Sequence, residues 1–376
     1  MKEKFSMKIL CECDRLNEAI SAVSRAVSGH SSLGVLEGIY FRAEADGTVT
    51  LIGNDLEIGI EAKIQASVSE PGEVVLNAKL IGSIIRTLPA DQVSIEVNEK
   101  NLALIRSGAS RFEIAGLPAS EFPDLPLVES EYSIGIPGNL LKEMISRTIF
   151  AVAVTDNNPI LTGCLLEIEK TGLTMVALDG YRLALRRAAM ENDFEEKRMV
   201  IPAKSLSELA RILGDTEEEV RVNATSRHAI FMFSNYRLVT RLIEGNYINY
   251  RSVIPADYDI ELLCPSHKMA ESLQRVSLII LNDVVKSPVK FRIEDGNINI
   301  SCATSAGSVD DNIPVNIKDA ALEIGFYHRY LTEAFRVIDT EEVCMRFKAA
   351  TSPLVILPPE GDDFLYLVLP LRLRAE

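Results

Sequence analysis

A chain of 376 residues, 47% hydrophobic and 25% charged, is long and apolar enough to fill two or three domain cores. Its 54 acidic and 39 basic residues give a net charge of −15, which as a sum argues against a nucleic-acid partner, and no apolar run approaches the roughly 20 residues of a membrane span. Six cysteines, at 11, 13, 164, 264, 302 and 344, include no CxxC pair and no histidine at metal-ligand spacing, so buried free thiols in a reducing cytoplasm are expected, with no metal and no cofactor.

The start, MKEKFSMKIL, lacks the apolar core of a signal peptide. Residues 7–13 alternate as a strand, and Asp14 is placed to cap a helix reaching about Val27, with Leu16, Ala19, Ile20, Val23 and Val27 on one stripe. Residues 38–44, 49–52 and 58–64 read as strands. At 77–89, NAKLIGSIIRTLP puts Ile81, Ile84, Ile85 and Leu88 at helical spacing, and strands follow at 102–106 and 112–115 around the turn Ser107-Gly108-Ala109-Ser110.

This second helix recurs twice, each time 125 residues on. PAKSLSELARILG carries Leu206, Leu209, Ala210 and Leu213, and YHRYLTEAFRVID carries Leu331, Ala334, Phe335 and Ile338, at the matching places. The first helix recurs too, as Leu141, Met144, Ile145, Thr148 and Val152 and then as Met269, Ser272, Leu273, Val276 and Ile280, with Glu18, Glu143 and Glu271 equivalent. Strands are expected at 164–169, 173–177 and 183–188 in the second copy and at 289–293 and 298–302 in the third. Each copy reads β-α-β-β-β twice, an α+β pattern with helices on one side and antiparallel sheets on the other. Related strings, PASEFPDLP at 118–126 and EGNYINYRSVIP at 244–255, mark the joints, so three domains are expected at 1–128, 129–257 and 258–376.

The repeats also share cations: Lys79, Lys204 and Arg329 in the first turn, Arg86, Arg211 and Arg336 seven residues later, in line and roughly opposite the apolar stripe. With the inferred boundaries each of the six helices has an excess of one or two positive charges, leaving the acid to sheets and loops. A basic helical wall would guide phosphates without reading bases, and no aromatic platform for single strands interleaves the cations.

Nucleotide-binding, nucleophile-elbow and zinc-protease motifs are absent. Asp55 and Asp179 stand at equivalent places, with Thr304 in the third copy, which suits turn aspartates better than a catalytic set. A metal-dependent nuclease or phosphoesterase using Asp55 and Asp179, or a repeat scaffold that does not encircle DNA, are the other readings.

SRAVSG at 24–29, NDLEIGI at 54–60, RSGASRFEIAGLPASEFPDLP at 106–126, ALDGYRLALR at 177–186, EGNYINYRSVIP and YLVLPLRL at 366–373 together resemble the bacterial DNA polymerase III beta subunit, the replication sliding clamp. The resemblance implies a non-catalytic homodimeric ring around duplex DNA that tethers the replicative polymerase, the clamp loader and other clamp-binding proteins by a peptide in a hydrophobic pocket. Spacing agrees on two chains: six helices about 10 Å apart close a hole of only about 9 Å, whereas twelve leave about 28 Å. The DNA-facing residues would be Arg25, His30, Lys79, Arg86, Lys142, Arg147, Lys204, Arg211, Lys268, Arg275, Arg329 and Arg336. By resemblance the pocket comprises Leu161, Leu178, Gly180, Tyr181, Arg182, Leu183, Ile248, Val253, Leu367, Leu369, Pro370, Leu371, Arg372 and Leu373, with Arg182 and Arg372 binding the peptide's polar groups. Leu178 replaces the usual threonine, Ile248 the usual proline, and Arg374, Ala375 and Glu376 extend beyond the usual end. Apolar Phe112 and Ile114 on an expected edge strand, and Leu278 and Ile279 at a helix end, are the expected dimer interface.

Overall fold

The computed structural model describes the chain except residues 1–4, 127–132, 156–157, 192–195, 281–286, 295 and 374–376. The extension at 374–376, the start of the chain and the proposed joint near 128 therefore lie outside the described residues. Among those described there are six α-helices: α1 Cys13–Val23, α2 Ala78–Arg86, α3 Gly138–Ser146, α4 Ala203–Leu213, α5 Ser266–Ile280 and α6 His328–Phe335. The stripe residues inside them, from Leu16 and Ile20 to Leu331 and Phe335, are buried, apart from the half-buried Ala210.

Helix ends depart from the sequence reading in one instructive place. The Asn77 side chain accepts the Leu80 N–H at 3.0 Å and caps α2. Helix α1, in contrast, begins at Cys13, so Asp14 sits within its first turn and does not cap it; Glu12 occupies the cap without a side-chain bond. The helix stops at Val23 and tightens into a 3-10 turn, Ser24–Ala26, where a Cβ on Gly53 would come within 2.0 Å of the Val23 carbonyl oxygen. Only glycine permits that approach of strand to helix end. Arg25 consequently falls outside α1, which holds Asp14 and Glu18 against Arg15 alone and is net acidic.

Two compact units divide the chain: residues 1–139 with 211–242, and 140–210 with 243–376. The first holds a 13-stranded sheet in the order Ser133–Pro137, Glu219–Ala224, His228–Phe233, Tyr236–Arg241, Ile58–Gln65, Thr48–Asn54, Gly38–Ala43, Gly72–Asn77, Ser110–Leu117, Leu102–Ser107, Gln92–Asn98, Phe5–Glu12, Ser67–Glu70. Leu238 lies opposite Ile60, so a strand of the second copy extends the sheet of the first. The link from Gly72–Asn77 to Ser110–Leu117 is confined to Val75 with Leu117 and Leu76 with Gly116. Helix α1 packs on Thr48–Asn54, Ile58–Gln65 and α2.

The second unit repeats the step. Its eight-stranded sheet runs Lys197–Pro202, Gly163–Glu169, Gly172–Leu178, Arg182–Ala189, Phe364–Val368, Leu354–Leu357, Glu342–Phe347, Ile260–Pro265, with Leu183 opposite Leu367. The second copy's Arg182–Ala189 thus takes its partner from the third, as Ile58–Gln65 takes its partner from the second. A four-stranded sheet, Gly307–Pro314, Asn297–Thr304, Val289–Glu294, Leu322–Phe326, lies beneath α5, which also packs on α6.

Candidate functional site

One apolar cluster of the second unit joins Leu161, Leu165, Val176, Leu178, Leu183, Leu185, Leu365 and Leu367 beneath Tyr250 of the linker, with Tyr247 and Ile254 packed against it. Alternation along each strand places these side chains on one face of the eight-stranded sheet. Leu161, Leu178, Leu183 and Leu367 are buried core rather than open wall. What reaches solvent is a rim of Tyr181 (61% exposed), Ile248, Val253, Leu369 and Leu371.

Local structure presents that rim. Asp179 accepts the N–H groups of Tyr181 and Arg182 at 2.9 and 3.1 Å, closing a turn through Gly180, whose φ of +88° suits glycine. The Tyr181 carbonyl takes the Leu369 N–H at 2.9 Å. After Pro370, Leu371 N–H bonds the Gly325 carbonyl at 2.8 Å, and Leu373 lies over Gly325 so closely that a Cβ there would meet it at 2.5 Å. Leu369, Pro370, Leu371, Arg372 and Leu373 border a cleft of about 580 Å³ with Ala350 and Thr351.

Arg182 has a different role from the one expected. Its side chain is buried, and its guanidinium bonds Asp179 at 3.0 Å, the Phe150 carbonyl at 2.5 Å and Glu333 of α6, while stacking over Tyr330 at 4.6 Å. Those donors are committed inside the chain, so the guanidinium ties the turn at Asp179 to α6. Burial pushes the Glu333 carboxyl up, but hydrogen bonds and charges from Arg182 and Arg329 outweigh it and hold that carboxyl below its ordinary value. Tyr330, stacked on Tyr181 with ring centroids 6.4 Å apart, is the residue sequence reasoning missed. Its only sequence signal is an aromatic where the equivalent positions are Leu80 and Ser205.

The basic residues separate into three groups. Arg25, Lys79 and Arg86 line one cleft of about 620 Å³ in the first unit with Ser21, Ser24, Ser28, Asn77 and Glu37, and His30 is exposed on the adjoining loop. Lys204 and Arg211 on α4, Lys268 on α5 and Arg336 at the end of α6 are exposed, while Lys142 is half-buried. Arg147, Arg275 and Arg329 are tied to acids. Arg147, 13% exposed, bonds Asp339 at 2.5 Å and Glu143 at 3.1 Å, which makes it an internal strut and removes it from the expected DNA-facing set. Arg275 is paired with Asp311 at 2.6 Å and Arg329 with Glu333 at 2.8 Å, so their charge toward solvent is largely offset.

Of the expected interface residues, Leu278 is 64% exposed and Phe112 lies at the surface, but Ile114, two residues on along the same strand, is buried in its own unit. Asp55 accepts the N–H groups of Glu57 and Ile58, matching the Asp179 turn. No cluster of three or more His, Cys, Asp or Glu side chains able to hold a metal occurs among the described residues. All six cysteines are free and buried, and burial raises the thiols of Cys11, Cys164 and Cys264 to about 12.

Three copies of a double β-α-β-β-β unit, with sheets continued from copy to copy, define a DNA sliding clamp. Models of the N-terminal, central and C-terminal domains of the DNA polymerase III beta subunit match residues 7–126, 135–249 and 251–372. The Beta sliding clamp of Bacillus subtilis is 35% identical over 380 residues, covering 97% of this chain and 100% of that protein. The crystal structure of the Bacillus subtilis DNA polymerase sliding clamp superposes with a TM-score of 0.94 at 34% identity, over 98% of this chain and 100% of that one. That of a Pseudomonas aeruginosa clamp bound to griselimycin gives 0.92 at 26% identity and the same coverage. The chain belongs to the DNA polymerase III beta subunit family, the bacterial replication sliding clamps. That family is a processivity factor of DNA replication, and no helix among the described residues is long and apolar enough to cross a membrane.

Proposed function

We propose that the chain acts as a homodimeric ring that encircles duplex DNA, slides without sequence preference and tethers replication proteins through short peptides, without catalysis of its own and in the cytoplasm. One observation carries the ring. Ile58–Gln65 and Arg182–Ala189 each pair with the last strand of the following copy, but the third equivalent, Gly307–Pro314, pairs among the described residues with Asn297–Thr304 alone. The last strand of the first copy, Ser110–Leu117, is correspondingly paired at 110–115, among the described residues, only with Leu102–Ser107. A second chain supplies both missing partners, and two such junctions close a ring. Exposed Leu278 near the end of α5 and Phe112 on the open strand would be covered there. The three repeats, with joints near 128 and 257, are the units of this arrangement.

Within the ring the cleft holding Arg25, Lys79 and Arg86, with exposed Lys204, Arg211, Lys268 and Arg336, would face phosphates. The rim of Tyr181, Ile248, Val253, Leu369 and Leu371 over buried Leu183 would take a partner peptide with leucine or phenylalanine anchors. Such a small surface suits micromolar affinity, about −8 kcal/mol. Asp55 and Asp179, each engaged by turn N–H groups, support structural roles over a nuclease. Light scattering tests the ring: the wild-type chain should have the mass of a dimer at low micromolar concentration, and L278A/I279A the mass of a folded monomer. A double mutant that remains dimeric would sink the junction, and a wild-type monomer the ring itself.

A further inference from the structure

The exposed rim residues Ile248 and Val253 stand on a linker that has little structure of its own. Its one regular element is the 3-10 turn Tyr250–Val253, and a piece that short does not hold its shape unaided. Three anchors hold it. The Tyr247 hydroxyl donates to the Val176 carbonyl at 3.4 Å, Ile254 packs on the sheet, and the Tyr250 hydroxyl donates to Glu167 Oε2 at 2.6 Å.

Glu167, on Gly163–Glu169, is 1% exposed and so cannot touch a bound peptide. Besides Tyr250, it receives Arg251 at 3.2 Å on Oε1 and 2.8 Å on Oε2, and an ion pair from Arg198 on the neighbouring strand. A buried carboxylate is unfavourable unless its lone pairs are filled, and an apolar residue of the same size usually serves stability as well. What it adds is geometry: its bonds are satisfied in only one position of the turn.

We propose that Glu167 is a positioning residue of the partner-peptide surface, pinning Tyr250 and Arg251 so that the linker presents Ile248 and Val253. This rests on the peptide-binding reading above. Arg251 and Arg198 are about half exposed or more, so both guanidiniums can turn to water when the carboxylate is removed.

The test measures anisotropy of a fluorescein-labelled short peptide with leucine and phenylalanine anchors on the full-length protein. Glu167→Ala is expected to weaken binding about tenfold in the wild-type background and less than twofold in I248A/V253A, because an action through those side chains vanishes with them. Arg251→Ala, which removes the other side of the pair from a more exposed position, should show the same background dependence should Glu167→Ala fold poorly. Equal losses in both backgrounds would mean general loosening and overturn the proposal, as would wild-type affinity in Glu167→Ala. If I248A/V253A itself binds like wild type, the peptide surface has been misplaced and the proposal falls with it. A normal loss in I248A/V253A with none in Glu167→Ala sinks the positioning role alone.

Discussion

Replacing Arg182 by methionine keeps a long apolar stem and removes every tie its guanidinium makes. Asp179 and Glu333, 12% and 18% exposed, would lose their shared cation, and the Phe150 carbonyl its donor. Breaking a buried ion pair from one side costs about 3–5 kcal/mol. The lower figure applies here, because Glu333 keeps Arg329 at 2.8 Å and Asp179 keeps two backbone N–H groups. In a unit of roughly 200 residues, about 3 kcal/mol lowers the melting temperature by about 6–12 °C. The pH dependence has a definite sign. The folded Glu333 carboxyl is held below its unfolded value, so its contribution is fully present above about pH 4.3 and is lost as pH falls through the lower folded value. The gap between wild type and R182M, measured by calorimetry across this range, should be full at pH 7 and shrink below about pH 4. A melting temperature within 2 °C of wild type at pH 7 would refute the assignment of Arg182 as an internal organiser.

Reversing charge in the basic cleft with K79E/R86E should reduce retention on nicked circular DNA and flatten its salt dependence, leaving dimer mass and melting temperature unchanged; unaltered retention at moderate salt would remove this cleft from the DNA path. Leu56 sits exposed at φ +75°, where its second-copy counterpart is Gly180, so Leu56→Gly should stabilise the first unit by about 0.5–1 kcal/mol in urea denaturation, the relieved strain exceeding glycine's entropy cost. A destabilised variant would show that the leucine is held there by contacts. Deleting residues 371–376 removes the Leu371 bond to Gly325 and the Leu373 packing; peptide binding should be lost by anisotropy with dimer mass retained, and full-strength binding would place the partner site elsewhere.

The repeats, their six helices and the buried face of each helix were determined by the sequence alone, because a 3.6-residue period recurring every 125 residues is a local property. Asp179 at its turn was legible for the same reason: it acts on backbone within three residues. Strand partners were not. Alternation says which face a side chain takes but not which neighbour its strand finds, so the pairing of Tyr236–Arg241 with Ile58–Gln65, and with it the open edges, came only from the tertiary structure. Charges were the least legible. Arg147 and Arg329 occupy outward-looking places in their sequence patterns, yet Arg147 meets Asp339 from 192 residues away, whereas Arg329 meets Glu333 one turn on. A cation's helical phase fixes the direction in which its stem leaves the backbone, but only folding decides whether a carboxylate or water waits at the end of it.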